Sequence, residues 1–142
     1  MKKLLVLLAL ATFTITGYSQ ITYKKDWQGN TIAVDKKGNT VATQSTDWQG
    51  NPVWKNAKGN IITTQRQDWQ GNPTYEDAKG NVISTQQKDW QGNTVLKDNR
   101  GNTKYRYRKD WQGNTTVEDA SGRKLGTYRK DWQGNTVFEP VK

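Results

Sequence analysis

Residues 47–67 read Asp47-Trp48-Gln49-Gly50-Asn51-Pro-Val-Trp54-Lys-Asn56-Ala-Lys-Gly59-Asn60-Ile-Ile-Thr-Thr-Gln-Arg-Gln67. The opening pentapeptide, Asp-Trp-Gln-Gly-Asn, also starts at Asp26, Asp68, Asp89, Asp110 and Asp131, always 21 residues from the neighbouring copy. An unbroken period of that length marks a tandem array of one small supersecondary unit. Within the unit a simpler code, Asp-x-x-Gly-Asn, occurs twice. Its second copy is Asp35 to Asn39, Asn56 to Asn60, Asp77 to Asn81, Asp98 to Asn102 and a decayed Asp119 to Arg123. Eleven such turns punctuate the chain, alternately nine and twelve residues apart.

The code has a physical reading. An Asp at the first turn position accepts the backbone N–H two residues on, and Gly at the fourth takes the left-handed conformation without a Cβ penalty. The result is a type I turn closed by a G1 bulge, a three-residue hairpin loop. β-Branched residues fill the gaps between these glycines, which disfavours helix. Short strands such as residues 51–56 and 72–77 carry one bulky residue each: Ala33, Trp54, Tyr75, Leu96, Val117 and Phe138 occupy that position. Longer strands, such as residues 60–68 and 81–89, open with Ile61-Ile62 or Val82-Ile83 and continue with Thr and Gln. These are β-formers with polar neighbours, as in a half-buried sheet.

Side-chain parity adds a constraint. A six-residue strand sets its terminal Asn and Asp on opposite faces, whereas a nine-residue strand sets them on the same face. A flat meander would turn the Trp loop over at every repeat, so each long strand is expected to hold a bulge, or the sheet to coil. The expected fold is all-β: tandem 21-residue β-hairpin repeats forming an elongated, coiled antiparallel sheet. Its ends are half-units, one around Ile21 to Lys25 and one over residues 135–141, with Pro140 where a turn should begin. Proline blunts an edge strand, so the halves are expected to be capping strands. Their complementarity also permits closure or head-to-tail pairing between chains.

Residues 1–19 read as a signal peptide: Lys2 and Lys3, an apolar run from Leu4 to Ala11 tailing into Phe13 and Ile15, then Gly17 and Ser19 before Gln20. The run is short for a bilayer span, and no second one follows. Residues 20–142 then form the hairpin-repeat domain, exported to a periplasmic, cell-surface or secreted location. The formal charge of +9 falls to +7 without Lys2 and Lys3. The absence of cysteine and histidine removes disulfides, a lipid anchor on cysteine, the commonest metal ligands and the commonest general base. The polar composition resembles that of disordered chains, but seven tryptophans and turn residues at fixed offsets argue for a fold.

At Tyr75-Glu76-Asp77-Ala78-Lys79-Gly80-Asn81-Val82 the pattern resembles the YD repeats of bacterial RHS-type proteins. That resemblance implies consecutive hairpins in a long coiled sheet on an exported protein, sometimes carbohydrate-associated. The tyrosine itself is replaced in other copies, and the long shell of that family does not fit in 142 residues. Trp48, Gly50, Trp54 and Gly59 are also similar to the layout of bacterial cell-wall-binding repeats, hairpins whose tryptophans hold choline or glucan.

The candidate binding residues follow. Trp27, Trp48, Trp69, Trp90, Trp111 and Trp132 sit at equal spacing. They, with Trp54, either stack on sugar rings or pack against the next hairpin as a substitute core. The oxygen-rich loop lacks the dense Asp-x-Asp-x-Asp ligand spacing of a calcium site, and turn geometry already accounts for its Asp and Gly. Its Gln has no role in the turn and is expected to reach a ligand or a neighbouring repeat. Residues 104–109 alternate aromatic and cationic groups, setting Tyr105 and Tyr107 on one face and Arg106 and Arg108 on the other. Those four are candidates for contact with an anionic envelope surface, because eleven basic and six acidic residues lie from Lys97 onward. The alternative is a solvated charged face. No nucleic-acid fold accompanies the run, so sequence-specific binding is not expected. Scattered serines and acids confined to turns give no catalytic constellation, no cofactor and no metal site. The expected function is non-catalytic binding or adhesion to envelope or extracellular polysaccharide through Trp-bearing turns. The alternative is a structural spacer or a self-assembling β subunit.

Overall fold

The turn code dictates where the chain reverses, and the chain obeys it. A computed structural model describes residues 20–141; the expected signal peptide lies outside the described residues. The strands are β1 (Ile21–Lys25), β2 (Thr31–Val34), β3 (Thr40–Thr46), β4 (Pro52–Asn56), β5 (Ile61–Gln67) and β6 (Pro73–Glu76). They continue as β7 (Val82–Lys88), β8 (Thr94–Asp98), β9 (Thr103–Lys109), β10 (Thr115–Asp119), β11 (Lys124–Lys130) and β12 (Thr136–Pro140). Each strand pairs antiparallel with the next, and β12 returns to pair with β1, so the twelve strands close into a barrel.

Closure corrects the expected elongated sheet and its capping strands. The terminal half-units are neither caps nor free edges, because they pair with each other. At the seam Ile21 faces Phe138 and Tyr23 faces Thr136. Advanced by the repeat period, these are the partners seen where Trp54 faces Thr63 between β4 and β5. The seam is therefore a sixth inter-repeat junction whose connecting turn is the break between the termini. A barrel removes the edge altogether, which is a stronger protection than Pro140 alone provides.

The parity problem is solved by bulges. Ala33 faces Ala42 but Val34 faces Thr40, which leaves Val41 as the extra residue of β3. The same shift recurs between Trp54 and Lys55, Tyr75 and Glu76, Leu96 and Lys97, and Val117 and Glu118. One bulge in each long strand keeps every Trp turn in the same orientation, as parity requires.

Three residues per repeat point inward. The bulky position of each short strand does so throughout: Ala33, Trp54, Tyr75, Leu96, Val117 and Phe138 all lie in the core. Across the bulged junctions Ala33 faces Ala42 and Leu96 faces Tyr105, while the other three partners are smaller. Trp54 faces Thr63, Tyr75 faces Ser84 and Val117 faces Gly126. Such alternation of large and small side chains is how a barrel interior is filled. A third inward position, next to the Trp turn, holds Tyr23, Gln44, Gln65, Gln86, Tyr107 and Tyr128. Aromatics meet across strands: Tyr23 lies edge-on to Trp54 at 6.3 Å and tilts against Tyr128 at 6.4 Å, while Tyr128 meets Phe138 at 5.0 Å. Burial pushes the Tyr23 and Tyr128 hydroxyls far above the ordinary phenol range, so both are neutral and hydrogen-bond each other.

Candidate functional site: a crown of tryptophans

In each Trp turn the backbone is satisfied without the indole. In residues 47–51 the Gly50 N–H donates to the Asp47 carbonyl at 2.9 Å, and the Asp47 N–H donates to the Asn51 carbonyl at 2.9 Å. The Asp47 carboxylate then accepts the N–H groups of Gln49 at 2.9 Å and Asn51 at 2.8 Å. Its second oxygen accepts the Asn51 side-chain amide at 3.3 Å. These bonds, led by that of the Asn51 N–H, hold the Asp47 carboxyl below its usual range. Gly50 has φ of +87°, the left-handed conformation that the G1 bulge demands. Asp, Gly and Asn thus build the loop, and Trp48 and Gln49 are left at its corners.

The consequence is uniform exposure. Trp27, Trp48, Trp69, Trp90, Trp111 and Trp132 are each 91–92 % exposed. The expectation that they pack as a substitute core is therefore overturned, since a side chain at a turn corner projects beyond the end of the sheet instead of onto either face. Strand alternation sets all six Trp turns at one end of the barrel. Closure makes the row a ring, because the Trp132 hairpin adjoins the Trp27 hairpin through β12 and β1. Adjacent indoles are two strands apart, about 10 Å by ordinary strand spacing.

The motif Gln has a partner in one copy. Arg66 Nη1 donates to Gln49 Oε1 at 3.2 Å, a contact between neighbouring repeats. Arg106 and Asp89 form a second inter-repeat tie at 3.5 Å. At the opposite end of the barrel the turns carry Lys36, Lys37, Lys58, Lys79, Arg100 and Arg123 instead of tryptophan.

The remaining candidates separate cleanly. Trp54 is 1 % exposed and belongs to the core, out of reach of an external glycan. It lies on a strand at the inward position, whereas the six motif tryptophans lie in loops. Tyr105 and Tyr107 also face the interior, and their rings lie 6.5 Å apart. Arg106 and Arg108 take the outer wall, as alternation predicts, where Arg108 pairs with Glu118 at 3.1 Å. Arg66–Glu76 and Arg129–Glu139 are the same pair in other repeats. These partly exposed pairs contribute little to stability. Lys24, Lys55, Arg66, Lys97, Arg106 and Arg108 also occupy positions that a lipid-spanning barrel fills with apolar side chains. Strands of four to seven residues are short of the about nine needed to cross a bilayer.

No protein-family model matches the sequence, and no curated protein does. Among solved structures, a protein of Arabidopsis thaliana superimposes with a TM-score of 0.66 at 14 % identity, over 86 % of this chain and 80 % of that one. The likeness is one of fold: an all-β chain. An alternansucrase solved in complex with isomaltononaose aligns over 87 % of this chain but only 12 % of its own, at 22 % identity and a TM-score of 0.21, too low to carry an argument.

Sequence reasoning missed a buried polar group on three neighbouring strands. Gln44 Nε2, Trp54 Nε1 and Gln65 Oε1 are all buried without a hydrogen-bond partner among the described residues. Further round, the Tyr75 hydroxyl donates to Gln86 Oε1 at 2.7 Å. The signal was the run of Gln44, Gln65 and Gln86 at one repeat position, legible only once that position is known to point inward.

Proposed function

We propose that the mature chain is an exported, non-catalytic module that binds polysaccharide through its ring of tryptophan-bearing turns. The observation that carries this reading is the near-complete exposure of six indoles at one end of a closed barrel. Six large apolar groups held in water, while the barrel has its own separate core, are accounted for by a ligand that covers them. An indole offers a broad apolar face and one N–H donor, the combination that stacks on a sugar ring. The turns hold their backbone rigid through Asp and Gly, so little is lost in ordering the loop on binding. The likeness of Trp48, Gly50 and Gly59 to cell-wall-binding hairpins points the same way, although Trp54, the fourth residue of that likeness, is internal.

The test begins with tryptophan emission. Six of the seven indoles are expected to give a red-shifted, readily quenched signal over intact β-type circular dichroism, with Trp54 as a small protected fraction. Retention of residues 20–142 on polysaccharide, lost when Trp48, Trp69 and Trp90 become Ala with the melting temperature unchanged, is the expected binding result. A blue-shifted, protected signal, or unfolding by those replacements, would overturn the proposal.

A further inference from the structure

We infer that the crown docks end-on against a flat array of uncharged glycan chains, the face of an insoluble polysaccharide, and not along one soluble chain. The inference rests on the polysaccharide reading above and specifies its ligand.

Three observations lead there. First, the tryptophans form a closed ring and not a line. The seam repeats the register of the internal junctions, so Trp132 stands to Trp27 as Trp48 stands to Trp69. A single extended chain crossing such a ring passes two or three indoles and leaves the rest bare. A surface meets all six. Second, the six are alike in exposure and backbone, each 91–92 % exposed on the same turn with the same backbone hydrogen bonds. No one turn is shaped as a pocket that would select a chain end, and each alone is a weak stacking platform. Useful affinity then comes from simultaneous contacts, whose effective concentration the rigid ring sets.

Third, charge selects among flat surfaces. The crown carries six carboxylates, Asp26, Asp47, Asp68, Asp89, Asp110 and Asp131, against the four ammonium groups of Lys25, Lys88, Lys109 and Lys130 and the guanidinium groups of Arg66 and Arg106 that reach Gln49 and Asp89. Of these lysines, Lys25, Lys88 and Lys130 lean on threonines at 2.9–3.0 Å. The carboxylates of Asp47, Asp89 and Asp131 are held below their usual range and so stay ionised. Six charges of each sign balance at the aromatic end, which gives a charged lipid or nucleic acid no net attraction there and leaves an uncharged polymer as the fitting partner. The basic excess of the chain lies on the wall and at the opposite end, turned away from the bound surface.

The deciding experiment compares two triple variants of residues 20–142 with equal numbers of indoles removed. One removes a contiguous arc, Trp27, Trp48 and Trp69→Ala; the other removes alternate positions, Trp27, Trp69 and Trp111→Ala. Binding is measured by sedimentation with microcrystalline cellulose, chitin and an insoluble mixed α-glucan, with the matching soluble oligosaccharides as competitors and anionic phosphatidylserine vesicles as a control. The melting temperature of each variant checks folding. The expected result is retention on at least one insoluble glycan, weak competition by its oligosaccharide, no vesicle binding, and a similar loss of at least tenfold in both variants. Retention by the contiguous variant with loss in the alternating one would show that a run of adjacent indoles reads a single chain, and would overturn the inference alone. Equally strong competition by the oligosaccharide would do the same. Vesicle binding in place of glycan binding, or no retention on any glycan, would overturn the polysaccharide reading with it.

Discussion

Single residues carry separable duties in this chain, and Gly126 and Asp119 show how sharply. At the inward position where other repeats have Ile21, Ala42, Thr63, Ser84 or Tyr105, β11 has glycine, because the ring of Phe138 lies over it. A Cβ at Gly126 would clash with that ring and lie 2.6 Å from the Glu139 carbonyl oxygen. Gly126→Ala is therefore expected to destabilise by about 1–3 kcal/mol through overpacking, read from denaturant unfolding, whereas Trp48→Ala stays within about 0.5 kcal/mol as an exposed change. Asp119 gives a pH prediction. The Ser121 hydroxyl, then the Arg123 N–H, lower its carboxyl to about 2. An unfolded Asp titrates near about 3.9, so the stabilising contribution is complete above that value and is lost as pH falls from about 4 to about 2. Asp35, Asp47, Asp77 and Asp98 are lowered in the same direction, led by the backbone N–H four residues on. Melting temperature should be flat above about pH 5 and drop across that window, and Ser121→Ala should raise the Asp119 midpoint in a carboxyl NMR titration. A midpoint unmoved by that replacement would refute the assignment.

At the scale of the strand and turn, most of the structure was legible in the amino-acid order. The Asp-x-x-Gly-Asn spacing specified the turn and its left-handed glycine, and parity counting asked for a bulge in each long strand or a coiled sheet, whereas the inward direction of the bulky residue of each short strand became visible only in the fold. What misled was residue type taken without position: tryptophan is usually buried, but a turn corner lies on neither face of a sheet. The bulge also gives an element-scale prediction. In β7, Ile83 is the unpaired extra residue between the Tyr75–Ser84 and Glu76–Val82 pairs, and it is 37 % exposed. Ile83→Ala should cost at most about 1 kcal/mol. Deleting Ile83 should cost far more, because a one-residue slip turns Ser84 and Gln86 out of the interior and brings their neighbours in. Gln86 would leave the Tyr75 hydroxyl it now accepts from. Urea unfolding of the two variants separates the cases: similar midpoints would mean the bulge is a passive irregularity.

Closure belongs to the whole molecule, and for that reason no single repeat announced it. Each hairpin adds the same small stagger, and only the sum over six repeats decides whether the last strand meets the first in register. The half-units at the two ends contained the answer, yet the local reading of Pro140 as an edge-blunting residue was equally consistent with a free edge. In the barrel, the seam between β1 and β12 is held by three residue pairs, whereas other junctions pair three to five and carry a covalent turn as well. If the seam is a true junction that merely lacks its turn, the position of the break is arbitrary. A circular permutant should then fold: residue 142 joined to residue 20 through an Asp-x-x-Gly-Asn linker, with new termini opened between Ala57 and Lys58. Its circular dichroism should match that of residues 20–142, and its melting temperature should be close to the original, because the β1–β12 junction gains a turn while the β4–β5 junction, also of three pairs, loses one. The crown is untouched by the change, so glycan retention should persist. A permutant that is unfolded or oligomeric would mean that β1 and β12 meet only when the chain ends are free to adjust, and the sixfold account of the barrel would fall.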